Sequence, residues 1–157
     1  MTDWHRRFIG LAQFIAGWSK DPSTQCGSVI VAPDRRVVSM GYNGLPRRVR
    51  DIPARYDNRE LKYKIILHSE RNAILFAREP LDGYTIYNWP MISCATCASM
   101  VIQSGITTVV APYSNNPRWQ EDFELSKQLF DEAGVDLVIL EHLDKLPKTV
   151  FGDICVP

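Results

Sequence analysis

The sequence lacks any excess of charge of one sign. Its 157 residues carry 18 basic and 18 acidic side chains, so the formal net charge is zero. Proteins that bind polynucleotides usually present a basic stripe, which this balance does not supply. We therefore expect no polynucleotide partner. A single nucleotide is not excluded, because it requires only a few well-placed cations.

Two further absences concern membranes and export. The sequence contains no run of about 18 apolar residues, which is roughly the length that a transmembrane helix needs. Near the N-terminus, Gln13, Gly17 and Trp18 interrupt the apolar stretch, and no small-residue cleavage site of a signal peptide follows. We therefore expect a cytoplasmic protein without a membrane span.

Cysteine is scarce, with four in the chain. A domain of this length buries about 70% of its unfolded surface and needs no disulfide to hold it together. In a reducing compartment, the four cysteines are expected to be thiols or metal ligands rather than disulfides.

Hydrophobic periodicity and turn residues predict one domain over residues 1–157, with a core at about 5–140 and an irregular tail at 141–157. A long polar loop interrupted by glycine and proline is predicted over residues 43–62. A hairpin followed by alternating strands and helices predicts an α/β fold, with a mixed five-stranded sheet between helices. The predicted helices cover residues 3–18, 63–78, 94–104 and 119–133, and the predicted strands cover residues 26–32, 37–42, 85–87, 107–111 and 135–140.

Two short motifs carry the candidate chemistry, H-S-E at residues 68–70 and C-A-T-C at residues 94–97. Cys94 and Cys97 open a predicted helix, where the helix dipole and free N–H groups favour thiolates. Thiolates suit tetrahedral zinc, and His68 from the preceding helix supplies a nitrogen ligand. Three protein ligands leave a fourth position for water, whereas a closed structural site needs a fourth protein ligand.

Glu70 follows His68 by two residues, and at the start of a helix this spacing can place Glu70 beside the water on the metal. Zinc lowers the pKa of bound water toward neutrality. Glu70 is therefore the candidate catalytic residue that takes the proton and returns it to the reacting molecule.

Each part of this pattern alone has an ordinary explanation. A C-x-x-C sequence can be a redox pair or two small residues packed in a helix. A lone histidine is more often a core residue than a ligand, and a lone glutamate is usually a solvated helix charge. The joint order is more specific: H-x-E in a helix, then a strand, then C-x-x-C opening the next helix matches the signature of zinc deaminases.

Two more segments extend the match. Residues 20–31 and the segment G-Y-N-G-L-P-R at residues 41–47 resemble the first hairpin and a loop of deoxycytidylate deaminases. The chain thus resembles the cytidine and deoxycytidylate deaminase family over about residues 5–140. The resemblance implies a cytidine-deaminase-like three-layer α/β/α fold, one zinc ion per subunit, and hydrolysis of dCMP to dUMP and ammonia with Glu70 as both base and acid.

The resemblance also implies partners and substrate contacts. Asn43 would bind the nucleotide sugar, and the cations for its 5′-phosphate are sought among Lys20, Arg47 and Arg48. The family is commonly oligomeric and often regulated by dCTP and dTTP, which implies a homo-oligomer with these effectors. Candidates for stacking on the base are Trp89, Tyr113 and Trp119.

Some positions depart from the family pattern. The family usually has proline directly before the first cysteine, where this chain has Ser93, and the connection at residues 88–93 is about one residue longer than is usual in the family. A modified cytosine nucleotide is therefore an alternative substrate. Many deoxycytidylate deaminases bind a second zinc through additional cysteine and histidine residues. This sequence has no such cluster, so Cys26 and Cys155 are expected to be thiols.

Two other functions remain as alternatives. Deamination of a base in tRNA or single-stranded DNA requires a basic face and stacking platforms, and the zero net charge argues against it. A catalytically silent, zinc-binding regulatory module has no use for Glu70, so its presence argues against that function.

Overall fold

The computed structural model describes residues 3–141 and Leu143. Its sheet has the strand order β2-β1-β3-β4-β5, in which β1 is antiparallel to β2 and β3, and β4 is parallel to β3 and β5. The predicted α/β fold with a mixed five-stranded sheet is confirmed. The strands are β1 (Gly27–Val31), β2 (Val37–Tyr42), β3 (Thr85–Trp89), β4 (Thr108–Pro112) and β5 (Asp136–Leu140); the helices are α1 (Trp4–Ala16), α2 (Pro53–Asp57), α3 (Arg59–Ile65), α4 (Ser69–Phe76), α5 (Ala95–Gln103) and α6 (Gln120–Glu132).

The two faces of the sheet bury separate apolar clusters. Successive strand residues point to opposite faces, so Ile30 and Ile86 face one layer while Val29 and Tyr87 face the other. The first face packs against α4, α5 and α6, and the second packs against α1. Asp3 caps α1, since its side chain accepts a hydrogen bond from the N–H of Arg6. The result is three layers, with helices on both faces of the sheet.

The prediction of a loop throughout residues 43–62 was wrong. This segment contains α2 and the first part of α3. Pro53 occupies the first turn of α2, and the Asn58 side chain accepts a hydrogen bond from the N–H of Leu61 at the start of α3. Proline and asparagine favour helix starts as well as turns, so residues that indicated a loop are in fact helix-start residues.

The predicted helix over residues 63–78 was also wrong, because the structure divides it into α3 and α4. Between them, the backbone of Leu67 pairs with Gly44 through two hydrogen bonds of 2.9 and 3.0 Å. His68 is extended and occupies the N-cap position of α4. The break matters for the site, because it places Glu70 in the first turn of a helix that starts at His68.

Close approach of α4 to the sheet depends on Gly41 in β2. A Cβ at this position would lie 2.5 Å from the backbone nitrogen of Ala73 and 2.6 Å from the carbonyl oxygen of Ser69. Only a residue without a side chain lets the backbone of α4 come so near. Gly41 therefore sets the distance between the sheet and the helix that carries Glu70.

No helix in the described part of the chain combines the length and apolarity that crossing a bilayer demands. The irregular tail predicted at residues 141–157 falls almost wholly outside the described residues, and so does Cys155.

Candidate active site

Three potential metal ligands meet where α4 and α5 begin. The donor atoms of His68, Cys94 and Cys97 all lie within 4.8 Å of one another. His68 Nδ1 is 3.5 Å from Cys94 Sγ and 3.4 Å from Cys97 Sγ. Cys94 is the N-cap of α5, and its sulfur accepts the N–H of Cys97 at 3.5 Å. These three side chains meet because His68 lies at the start of α4, while Cys94 and Cys97 lie at the start of α5.

The spacing fits zinc. Tetrahedral zinc with bonds of about 2.0 Å to nitrogen and about 2.3 Å to sulfur places such a nitrogen and sulfur about 3.5 Å apart. The two distances from His68 Nδ1 are within about 0.1 Å of that value. Two sulfurs and one imidazole nitrogen are also the ligand types that zinc prefers. His68, Cys94 and Cys97 are thus placed as three side chains that could hold zinc.

The two thiols differ in acidity. The hydrogen bond with Cys97 is the main cause that lowers the pKa of Cys94 below its usual value, and His68 contributes to it. The same hydrogen bond, together with burial, raises the pKa of Cys97 above its usual value. Cys94 therefore gives up its proton more readily than Cys97 does. A divalent cation that displaces the thiol protons can take both sulfurs as thiolates.

Glu70 lines the same pocket as His68 and Cys94, and it is buried, with 7% of its surface exposed. Its Oε2 lies 3.2 Å from the hydroxyl of Ser69. The Ser69 hydroxyl is 2.8 Å from that of Ser28, which is in turn 2.8 Å from Oδ1 of Asn88. The carboxylate thus stands at one end of a buried chain of hydrogen bonds.

This chain has fewer protons than contacts. The hydroxyls of Ser28 and Ser69 carry two protons in all. Three contacts link Glu70 to Asn88: Glu70 to Ser69, Ser69 to Ser28, and Ser28 to Asn88. The amide of Asn88 donates to Ser93 Oγ at 2.9 Å, which leaves Oδ1 as an acceptor. The Ser69 hydroxyl donates to Oε2 of Glu70 and the Ser28 hydroxyl donates to Oδ1 of Asn88, so Oε2 of Glu70 has a buried O–H donor.

The pocket above these groups opens to solvent. Trp89, Ile92 and Phe123 form apolar walls, and Trp119 lines the pocket as well. The ring of Trp119 stacks on that of Phe123 with the two centroids 6.5 Å apart. Flat apolar walls above the polar side chains at the bottom of the pocket suit a planar heterocycle with an exocyclic group.

The predicted substrate contacts fall into two groups. Trp89 and Asn43 line the pocket, whereas Arg48 and Tyr113 do not, and Tyr113 is 63% exposed. Asn43 is buried, and its side chain holds the preceding loop: Oδ1 accepts the N–H of Cys26 at 2.8 Å. The sugar contact predicted for Asn43 stays a prediction.

Lys20 and Arg47 are also absent from the residues that line the pocket. Lys20 Nζ pairs with Asp51 at 2.8 Å, and the Arg47 guanidinium lies 4.8 Å from the ring centroid of Phe76. The roles assigned to Lys20, Arg47 and Arg48 in holding the phosphate stay predictions that this geometry does not favour.

Sequence reasoning missed several polar residues of the pocket. Lys62 Nζ lies 3.1 Å from Oδ1 of Asp21, and each of these side chains is only 5% exposed. Tyr63 and Arg118 line the pocket near them. Lys62 and Tyr63 belong to the segment where the boundary between loop and helix was misplaced, so no periodic pattern indicated which way they face.

Arg71 was missed as well. Burial lowers the pKa of its guanidinium, but Cys97 and Cys94 raise it by more, so the net shift is upward. Its Nε is buried without a hydrogen-bond partner in the described residues. A positive charge beside both sulfurs favours their thiolate forms.

Known proteins resemble this chain in sequence and in fold. The family model described as "Cytidine and deoxycytidylate deaminase zinc-binding region" matches residues 2–112. An uncharacterized deaminase in the luxG 3′ region of Aliivibrio fischeri is 42% identical over 145 residues, which cover 89% of this chain and 95% of that protein. Human deoxycytidylate deaminase is 32% identical over 139 residues, or 85% and 77% of the two chains. The dCMP deaminase of cyanophage S-TIM5, solved with dCMP and dUMP, shares the fold with a TM-score of 0.68 at 19% identity, covering 89% of this chain and all of that one.

Proposed function

The chain belongs to the zinc-binding cytidine and deoxycytidylate deaminase family, and from this membership we propose that its pocket hydrolyses dCMP to dUMP and ammonia. The family and the ligand set make it a zinc-dependent hydrolytic deaminase. The choice of dCMP is supported by relatives that carry the name deoxycytidylate deaminase. The observation that carries the proposal is Glu70, buried in the pocket that His68 and Cys94 also line.

His68, Cys94 and Cys97 would hold the zinc ion. When bound there, zinc supplies Lewis acidity that lowers the pKa of water toward neutrality. Glu70 then acts as a general base that takes a proton as the water oxygen bonds to C4 of the cytosine ring.

Glu70 returns this proton to the reacting molecule. It protonates the ring nitrogen N3, then takes the remaining proton of the oxygen added at C4 and gives it to the exocyclic amine, which leaves as ammonia when the C4–N bond breaks and the C4=O bond forms. The hydroxyl of Ser69 donates to Oε2 of Glu70 and so holds this side chain in place during the proton transfers.

The walls of the pocket would position the base. Trp89 and Phe123 offer flat apolar surface for a pyrimidine ring. Asn43, which is predicted to contact the sugar, lines the same pocket. Burial of Glu70 strengthens its electrostatic contacts. The homo-oligomer, the effectors dCTP and dTTP, and the cytoplasmic location stay predictions.

Ammonia release from purified, zinc-loaded protein tests the proposal. We expect the highest kcat/KM with dCMP, lower values with CMP and deoxycytidine, and no measurable turnover of tRNA. The Glu70→Gln variant, checked for an unchanged zinc content, is the matched control for contaminating activity. Faster turnover of 5-methyl-dCMP than of dCMP would assign a modified base instead. Deamination of tRNA alone, or of no substrate, would overturn the proposal.

A further inference from the structure

Two arginines share one tyrosine hydroxyl at the mouth of the pocket. Arg118 and Tyr63 both line the pocket, and an Nη2–H of Arg118 donates to the hydroxyl of Tyr63. Nε of Arg59 donates to the same oxygen at 3.1 Å. Cζ of Arg118 also lies 5.0 Å from the ring centroid of Tyr63 and 5.1 Å from that of Trp119. The guanidinium of Arg118 is thus held by two aromatic side chains before any ligand arrives.

These two arginines leave a positive charge at the mouth. Among the ion pairs of residues 3–141 and 143, none includes Arg59 or Arg118. By contrast, the ammonium of Lys62, which also lines the pocket, is neutralised by Asp21. Burial raises the pKa of Tyr63, but the hydrogen bonds from Arg118 and Arg59 outweigh it and lower the pKa below its usual value. A positive potential at this point attracts an anion.

We propose that Arg118, with Arg59 beside it across the Tyr63 hydroxyl, binds the phosphate group of the nucleotide substrate; this inference rests on the proposed function. A guanidinium has five N–H donors, and the hydroxyl of Tyr63 occupies one of them. The remaining donors can form the paired hydrogen bonds that a phosphate monoester prefers. The aromatic contacts fix the side chain in advance, which reduces the entropy lost on binding.

This assignment makes Arg118 a specificity residue. A substrate with a phosphate gains the contact, and a nucleoside that lacks the phosphate does not. Loss of Arg118 should therefore weaken binding of the nucleotide and leave binding of the nucleoside almost unchanged. Charge-assisted hydrogen bonds of this kind correspond to a loss of about 10- to 100-fold in affinity.

Steady-state kinetics of zinc-loaded variants with dCMP and with deoxycytidine test this directly. For Arg118→Ala we expect kcat/KM for dCMP to fall about 10- to 100-fold, mainly through KM, with less than about a threefold change for deoxycytidine. Arg118→Lys should recover part of the loss. Lys64→Ala is the matched control. Lys64 is an exposed cation of α3, the helix that also carries Arg59 and Tyr63; it pairs with Glu60 and does not line the pocket. It should change either value by less than about twofold.

A binding measurement separates this inference from the proposed function. Calorimetric titration of the zinc-loaded protein with dUMP and with deoxyuridine needs no turnover. Arg118→Ala should reduce the affinity for dUMP by about 10- to 100-fold and leave the affinity for deoxyuridine unchanged. Equal losses for both ligands, or no loss for either, would overturn the phosphate assignment even if dCMP is deaminated. If no substrate is deaminated, the proposed function fails, and the dUMP titration still decides the role of Arg118.

Discussion

Replacement of Gly41 by alanine tests how the sheet positions the catalytic helix. The added Cβ would lie 2.5 Å from the nitrogen of Ala73, 2.6 Å from the carbonyl oxygen of Ser69 and 2.8 Å from Cβ of Asn72. Two of these three atoms belong to the backbone of α4, so no side-chain rotation relieves the clash. The helix must move away from β2 by about 1 Å to restore ordinary contact distances.

The cost follows from the packing. Overfilling a close-packed contact destabilises a domain by about 1–3 kcal/mol, which lowers Tm by about 2–12 °C for a chain of this size. The same displacement moves Ser69 and Glu70 relative to α5. Misplacement of a catalytic group by about 1 Å can reduce turnover on the order of 100-fold. We therefore expect Gly41→Ala to lower both Tm and kcat.

Thermal denaturation and ammonia release measure the two effects. Gly44→Ala is the matched control for stability, because a Cβ there meets nothing within 4 Å. We expect it to change Tm by less than about 2 °C. If Gly41→Ala were as stable and active as the parent protein, the close approach of α4 to β2 would not be what positions Glu70.

Three further outcomes are expected. Glu70→Gln should keep zinc and fold while kcat falls about 10²- to 10⁴-fold, and near-normal ammonia release would remove Glu70 from the mechanism. Ser28→Ala should lower kcat with little change in KM, because it interrupts the hydrogen-bond chain that ends at Glu70, and an unchanged kcat would deny the chain a role. Burial, followed by the charges of Glu70 and Asp21, raises the pKa of Cys26 to about 12. Since only about one thiol in 10⁴ is then ionised at pH 8, alkylation of Cys26, followed by peptide mass spectrometry, should be slow and should accelerate about tenfold per pH unit; rapid alkylation at pH 7 would contradict this.

The parts of the fold that were predicted correctly have local causes. The apolar segments on either side of the turn after Ala32 indicate the hairpin of β1 and β2. The convergence of His68 with Cys94 and Cys97 was also predictable, because zinc chemistry restricts which ligands can combine. Short-range patterns and metal chemistry are both visible in a single sequence.

The parts that were missed depend on contacts between distant residues. The break between α3 and α4 is caused by pairing of Leu67 with Gly44, and helical periodicity around Leu67 does not reveal a partner 23 positions away. The same holds for Arg118, whose orientation depends on Tyr63, 55 positions earlier in the chain. Which cation faces the pocket is decided by tertiary packing, so the choice of Arg47 for the phosphate rested on proximity in sequence.

X-ray absorption spectroscopy of the zinc-loaded protein, compared with its Cys97→Ala variant, tests the metal site most directly. With all three ligands present, the spectrum should fit two sulfurs at about 2.3 Å, one nitrogen at about 2.0 Å and one further light atom from solvent. Cys97→Ala should lose most of its zinc. A fit with four protein ligands, or full zinc occupancy without Cys97, would contradict an open site formed by His68, Cys94 and Cys97.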